Sequence, residues 1–213
     1  MQPSKREQAF LAVAATIGWL ALGLQFYLLL LNRITSVPEA ITRFFSFYTI
    51  LTNILVSLCF TILLLKPNDT LGKFFSKSKT STAIAVYITI VGLVYNTILR
   101  FTWSPEGLQR VVDEVLHVVV PLLFLLYWFL FATKTGLLWK NVFSWLLYPL
   151  VYVTCVLFRG ALAGFYPYPF LDANVLGYRK VFINCAELLC VFLAMSLFLV
   201  AIAKVINRNS RIN

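Results

Sequence analysis

Histidine is almost missing from this 213-residue chain: His117 stands alone. Carboxylates are scarce too, eight against eighteen Lys and Arg, and charged residues of both signs reach only 12%, where soluble domains carry about 25%. The four cysteines, Cys59, Cys155, Cys185 and Cys190, form no CxxC pair, and each falls inside an apolar run. So sparse a set of ligands leaves little room for a metal site. Neither a phosphate-cradling glycine loop nor a dinucleotide fingerprint is present, so no cofactor is expected. The cysteines read as small apolar packing residues rather than disulfide partners or metal ligands.

Hydrophobic residues are abundant instead: 61% of the chain, against about 45–50% in soluble proteins. A soluble domain of this length cannot hide that much apolar surface, because its buried fraction grows too slowly with size. The mean hydropathy of +0.86 agrees, and an integral membrane protein is expected. The net charge of +10 does not point to a nucleic-acid partner, because the Lys and Arg residues punctuate the apolar runs as topogenic charges do.

A helix needs about 20 apolar residues to cross a bilayer. Six stretches qualify, approximately 8–31, 43–65, 82–101, 111–131, 142–159 and 178–203. The first follows Lys5-Arg6 as a signal peptide would, but its apolar run is too long and no small-residue cleavage site follows, so it is read as a helix. The expected architecture is all-α, a single polytopic bundle of six transmembrane helices. Lys5, Arg6, Lys66, Lys73, Lys77, Lys79, Lys134, Lys140, Lys204, Arg208 and Arg211 fall on one side, eleven in all. Seven fall on the other: Arg33, Arg43, Arg100, Arg110, Arg159, Arg179 and Lys180. The richer side holds both termini, which are therefore expected in the cytoplasm. The 66–81 connection, with lysines beside Leu71, Phe74 and Phe75, should lie on the cytoplasmic leaflet. The 160–177 connection, GALAGFYPYPFLDANVLG, is aromatic and nearly uncharged, and should cap the outer mouth of the bundle.

Polar residues inside spans carry the functional signal, since they are costly in hydrocarbon unless partnered. They are Thr49, Thr52 and Asn53 in the second span, Asn96 and Arg100 in the third, Asp113, Glu114 and His117 in the fourth, and Asn184 and Glu187 in the sixth. All lie in the outer halves; the inner halves are nearly featureless. At 1.5 Å per residue, Thr49 and His117 both sit about 9 Å below the outer boundary. Spacings of three and four (Thr49 with Thr52 and Asn53, Asp113 with His117, Asn184 with Glu187) fit one inward face on each helix. Pro121 cannot donate to the carbonyl of His117, so a kink is expected there.

This set suits a hydroxyl nucleophile with a histidine base: Thr49, or Thr52 one turn deeper, activated by His117, with Asp113 or Glu187 orienting the imidazole. Amides of Asn53, Asn96 or Asn184 are candidates to stabilise an oxyanion. Arg100 or Arg159 at the rim would hold a fatty-acid carboxylate, and Tyr166 and Tyr168 would help bind substrate. The substrate class is a membrane lipid or fatty acyl ester.

The segments RFFSFYTILTN, DEVLHVVVPLLFLLYW and RGALAGFYPYPFLD resemble the bacterial six-helix relatives of the androgen-induced / FAR-type membrane protein family. Shared features are a span-borne threonine, a histidine followed by a proline, and a late YPFL-type segment. The family's eukaryotic members are described as intramembrane threonine hydrolases of fatty acid esters of hydroxy fatty acids. The resemblance therefore implies an esterase in a bacterial cytoplasmic membrane, with His117 as base and Thr49 as nucleophile. Ser46 and Thr52 compete with Thr49 for the matching position. Two other functions fit the same residues: a lipid-binding scaffold whose pocket holds a head group, and a proton-coupled carrier relaying protons through His117 and Glu187. A carrier should show polar residues across the whole membrane and a repeated half, and neither is visible. Sequence alone does not set the oligomeric state.

Overall fold

The computed structural model describes residues 2–102 and 104–209, and among these it is all-helical with no strand. Six helices are long and apolar enough to cross a membrane: Lys5–Leu31, Tyr48–Leu65, Ser78–Phe101, Gly107–Leu130, Asn141–Ala163 and Ala173–Arg208. They are consistent with an integral membrane protein and match the six expected stretches, each shifted by a few residues.

Helix α1 (Lys5–Leu31) starts where Ser4 Oγ accepts the Glu7 N–H at 3.2 Å, satisfying one of the donors that a helix start leaves open. It packs along α3 (Tyr48–Leu65). Helix α5 (Ser78–Thr97) runs through the middle, against α3, α7 (Val120–Leu130) and α10 (Ala173–Asn209). Its Ala85, Val86 and Ile88 are fully buried. The half of the bundle far from the polar level is closed by aromatic packing. Phe60 meets Phe124 and Tyr127 at centroid separations of 5.4 and 5.6 Å, and the buried Trp128 indole donates to Thr82 Oγ1 at 3.0 Å. The apolar inner sequences thus become a sealed floor.

Three breaks in the helices shape the other half. The 43–65 stretch, expected as one helix, divides into α2 (Val37–Phe44) and α3, leaving residues 45–47 irregular. Irregular backbone at membrane depth needs internal partners, and Tyr152 supplies them. Its hydroxyl accepts the Tyr48 N–H at 3.2 Å and donates to the Ser46 carbonyl at 2.8 Å.

The fourth span is α6 (Gly107–Glu114), a π-helical turn over Val115–Val119, and α7. The kink expected at Pro121 is absorbed upstream, by widening the turn that holds His117. There the Val120 N–H bonds to the Val115 carbonyl, five residues back. The His117 carbonyl then rests against Gly92 of α5, where a Cβ would stand only 3.1 Å away. The third break is at Gly177, whose φ of 72° lets α10 begin with a short turn before its long span.

The fifth span consists of α8 (Asn141–Trp145) and α9 (Leu147–Ala163). Between α3 and α5, α4 (Thr70–Phe75) buries Gly72 and Phe75 while Leu71 and Phe74 stay exposed. Not all cysteines pack inside. Cys59 is buried and Cys185 half-buried, but Cys155 and Cys190 lie on the exposed faces of α9 and α10, where hydrocarbon suits a thiol as well as a core does.

Candidate active site

Thr49 is the second residue of α3. A helix start leaves N–H groups unpaired, and no side chain on the preceding Phe47 caps this one. The Thr49 N–H instead donates to the Tyr168 hydroxyl at 3.2 Å, and Tyr168 also lies 3.3 Å from Thr49 Oγ1. Tyr168 comes from the aromatic 160–177 connection. Its ring meets Phe47 edge-on at 5.8 Å and stacks on Phe170 at 5.2 Å.

The π-helical turn aims His117 at Thr49. Its Nε2 lies 3.3 Å from Thr49 Oγ1, and its Nδ1 lies 2.8 Å from the main-chain carbonyl of Asp113. A carbonyl can only accept, so Nδ1 of the neutral ring carries the proton and Nε2 presents its lone pair to the threonine. Tyr95 stacks on the imidazole at 4.0 Å with planes 15° apart, and its hydroxyl donates to Asp113 Oδ2 at 3.3 Å. These contacts hold the ring in plane and the tautomer in place.

Several expectations are corrected here. The orienting group is the Asp113 main-chain carbonyl rather than a carboxylate. Asp113 Oδ1 stays 3.9 Å from Nδ1, because the side chain turns towards Tyr95. Glu187 is not near His117 at all: it is exposed on α10, whose cavity-facing positions are Cys185, Leu188, Leu189 and Phe192. Its spacing of three from Asn184 suggested a shared face, but the inward stripe passes through Cys185, Leu188 and Phe192 and leaves Glu187, like Ala186, exposed.

Thr52 is fully buried, with Oγ1 3.3 Å from the Tyr148 hydroxyl, and Ser46 Oγ donates to the Thr42 carbonyl at 2.7 Å. Of the three candidate hydroxyls, Thr49 is therefore the one that faces the imidazole. Neither Asn53 nor Asn184 is placed as an oxyanion donor: Asn53 spends both amide protons on main-chain carbonyls, and Asn184 binds Phe170 and lines neither cavity beside Thr49. Asn53 donates to Thr49 at 2.8 Å and Leu116 at 3.2 Å, and Asn184 to Phe170 at 2.8 Å. Asn96 is exposed and bonds back to the Gly92 carbonyl at 2.7 Å.

Neither rim arginine is among the residues lining the two cavities that meet at Thr49. Arg100 pairs with Glu114 at 2.7 Å, with its guanidinium 5.1 Å from the Tyr95 ring. Arg159 pairs with Glu39 at 2.8 Å, and Glu39 also binds Arg43 at 2.7 Å. The Arg43 hydrogen bond, with a smaller contribution from Arg159, holds the Glu39 carboxyl below the usual carboxylate range. Both guanidiniums lie over Phe165, at 4.3 and 5.2 Å, pinning the start of the aromatic connection.

Tyr166, expected in substrate binding, instead packs on the backbone of α9. A Cβ at Gly160 would overlap its ring. Gly160→Ala is expected to displace Tyr166 and the 165–171 segment with it, lowering the melting temperature. Thermal unfolding in detergent checks this. Asn53→Ala leaves the Thr49 carbonyl its helical partner but strands the carbonyl of Leu116, at a cost of about 1–3 kcal/mol when buried without a partner. A fall in melting temperature, measured by thermal unfolding in detergent, is the expected result.

Two cavities meet at Thr49. One, of about 640 Å³ with its mouth, runs between α5, α9 and α10 and is lined almost wholly by hydrocarbon and aromatic rings. The other, about 1040 Å³ with its mouth, lies among α1, α2, α6 and residues 167–169 and carries Gln25, Thr102, Gln109, Asp113 and His117. Thr49, Leu99 and Tyr168 border both. Tyr95, Tyr152, Gln25 and Gln109 escaped the sequence reading. Tyrosines near span ends look like interface residues, and only their partners distinguish them. Burial pushes the Tyr168 hydroxyl up from its ordinary value, outweighing its bonds to Thr49, so it is a proton donor at neutral pH. No protein-family model, curated protein or solved structure matches the chain.

Proposed function

We propose that this protein is an intramembrane lipid esterase with Thr49 as nucleophile and His117 as general base. The observation that carries the reading is the 3.3 Å approach of His117 Nε2 to Thr49 Oγ1, with Nδ1 tied to a main-chain carbonyl. Such contacts tighten when substrate binds.

Thr49 Oγ1 attacks the ester carbonyl carbon and its proton passes to His117 Nε2. The Tyr168 hydroxyl, beside the nucleophile, donates to the oxygen that becomes negative. The position of Thr49 at the N-terminus of α3 adds a favourable dipole for the developing charge. His117 returns the proton to the leaving alkoxide, freeing the alcohol and leaving an acyl ester on Thr49. Water, deprotonated by His117, then releases the fatty acid and restores the threonine. The excess of Lys and Arg on the side of the termini supports a reading with both termini in the cytoplasm and the site in the outer half of the membrane. The resemblance to bacterial six-helix proteins supports the bacterial cytoplasmic membrane as that membrane.

Labelling with a fluorophosphonate probe in native membranes tests the reading. The wild type and Thr52→Ala should label, and Thr49→Ala should not. Labelling that persists in Thr49→Ala overturns the nucleophile assignment. No labelling of any form, with lipid co-purifying in the cavities, supports a binding scaffold instead.

A further inference from the structure

Which arm of the ester enters which cavity follows from the position of the acid that must protonate the leaving oxygen. His117 lines only the polar cavity, so the leaving alcohol lies there and the acyl chain occupies the apolar one. Deacylation agrees, because the water that His117 activates has to arrive on the same side. The apolar cavity, with no charged side chain on its wall, suits a hydrocarbon chain.

The polar cavity constrains the alcohol further. Gln109 Nε2 donates to Gln25 Oε1 at 2.8 Å, a bond that leaves the Gln25 amide protons and the Gln109 oxygen as donor and acceptor. The Thr102 hydroxyl lies on the same wall. Asp113 lines the same wall, and its side chain accepts from Tyr95. None of the described residues lining this cavity is Lys or Arg, and Arg100 and Arg159 are paired with Glu114 and Glu39 outside it. A leaving group carrying its own carboxylate would find no Lys or Arg to pair with among the described lining residues, and a carboxylate taken out of bulk water without a cation partner is penalised.

We propose, resting on the esterase reading, that the substrate is a fatty acyl ester of a neutral hydroxylated alcohol, glycerol being the simplest of the class. This departs from the hydroxy-fatty-acid leaving group that the family resemblance implies. In the reaction the acyl carbon exchanges its bond to the glycerol oxygen for one to Thr49 Oγ1, and the threonine proton ends on glycerol. Water then replaces Thr49, and fatty acid is released.

The test uses the full chain in detergent micelles and three esters of one fatty acid: with glycerol, with a hydroxy acid bearing a free carboxylate, and with choline. Hydrolysis of the glycerol ester should exceed that of the carboxylate ester by about tenfold or more in kcat/KM, and should vanish in Thr49→Ala. Gln109→Arg should shift the preference several-fold towards the carboxylate ester by supplying the missing counter-ion.

A Thr49-dependent preference for the carboxylate or choline ester overturns the inference and leaves the esterase standing. Probe labelling of Thr49 without hydrolysis of the glycerol ester also overturns it. Absence of both labelling and hydrolysis overturns the esterase reading itself.

Discussion

Replacing His117 with alanine is expected to lower ester hydrolysis by about 10³-fold or more, and adding Thr49→Ala should cost almost nothing further. The two side chains act as one unit. Without the imidazole the threonine hydroxyl keeps its proton, and without the hydroxyl the imidazole has nothing to activate. Steady-state kcat/KM for the two single variants and the double variant, with one ester, measures the coupling. Independent effects that multiply would show that the 3.3 Å pair is not the reacting unit. Folding should survive, because the imidazole edge faces a cavity and its loss removes one stacked contact with Tyr95 and two hydrogen bonds, those to Thr49 and to the Asp113 carbonyl. Thr49→Ser keeps the hydroxyl and its position, so it should retain activity where Thr49→Ala does not. Ser46→Ala and Thr52→Ala should remain active, since those hydroxyls bond to the Thr42 carbonyl and to Tyr148.

The helices were legible because spanning a membrane demands a long apolar run, and the chain holds six such runs. The level of the site was legible for a related reason: hydrocarbon tolerates polar residues only with partners, so Thr49, Asn53, Asp113 and His117 betray a shared depth. The irregular turns were harder. Pro121 signals that one helical bond is missing, yet whether the chain kinks or widens depends on what packs beside it, here Gly92 against the His117 carbonyl. The break at residues 45–47 had no signal in RFFSFYT, because it depends on Tyr152, more than 100 residues away, to satisfy the exposed backbone. Glu187 misled for a simple geometric reason. Spacing within a helix says which residues share a face but not which face turns inward, and a lone carboxylate suggests burial that the packing of Cys185 and Leu188 denies it.

Tyr168→Phe is the sharper test of how the site works, with an expected fall in kcat of about 10²-fold and little change in KM. With Nε2 of His117 as acceptor, the Thr49 hydroxyl donates to it, so Thr49 Oγ1 accepts from Tyr168 across their 3.3 Å contact. The same tyrosine oxygen accepts the Thr49 N–H at 3.2 Å. One hydroxyl thereby fixes the start of α3 and faces the charge that develops during attack. Phenylalanine keeps the ring contacts with Phe47 and Phe170, so the cavities retain their shape and substrate binding should hold. The lost interaction belongs to the transition state, which is why kcat should fall and KM should not. A variant in which KM rises and kcat stays level would make Tyr168 a wall of the two cavities and nothing more. A fall in melting temperature equal to that of Asn53→Ala would mean that its bond to the Thr49 N–H matters for folding rather than for chemistry.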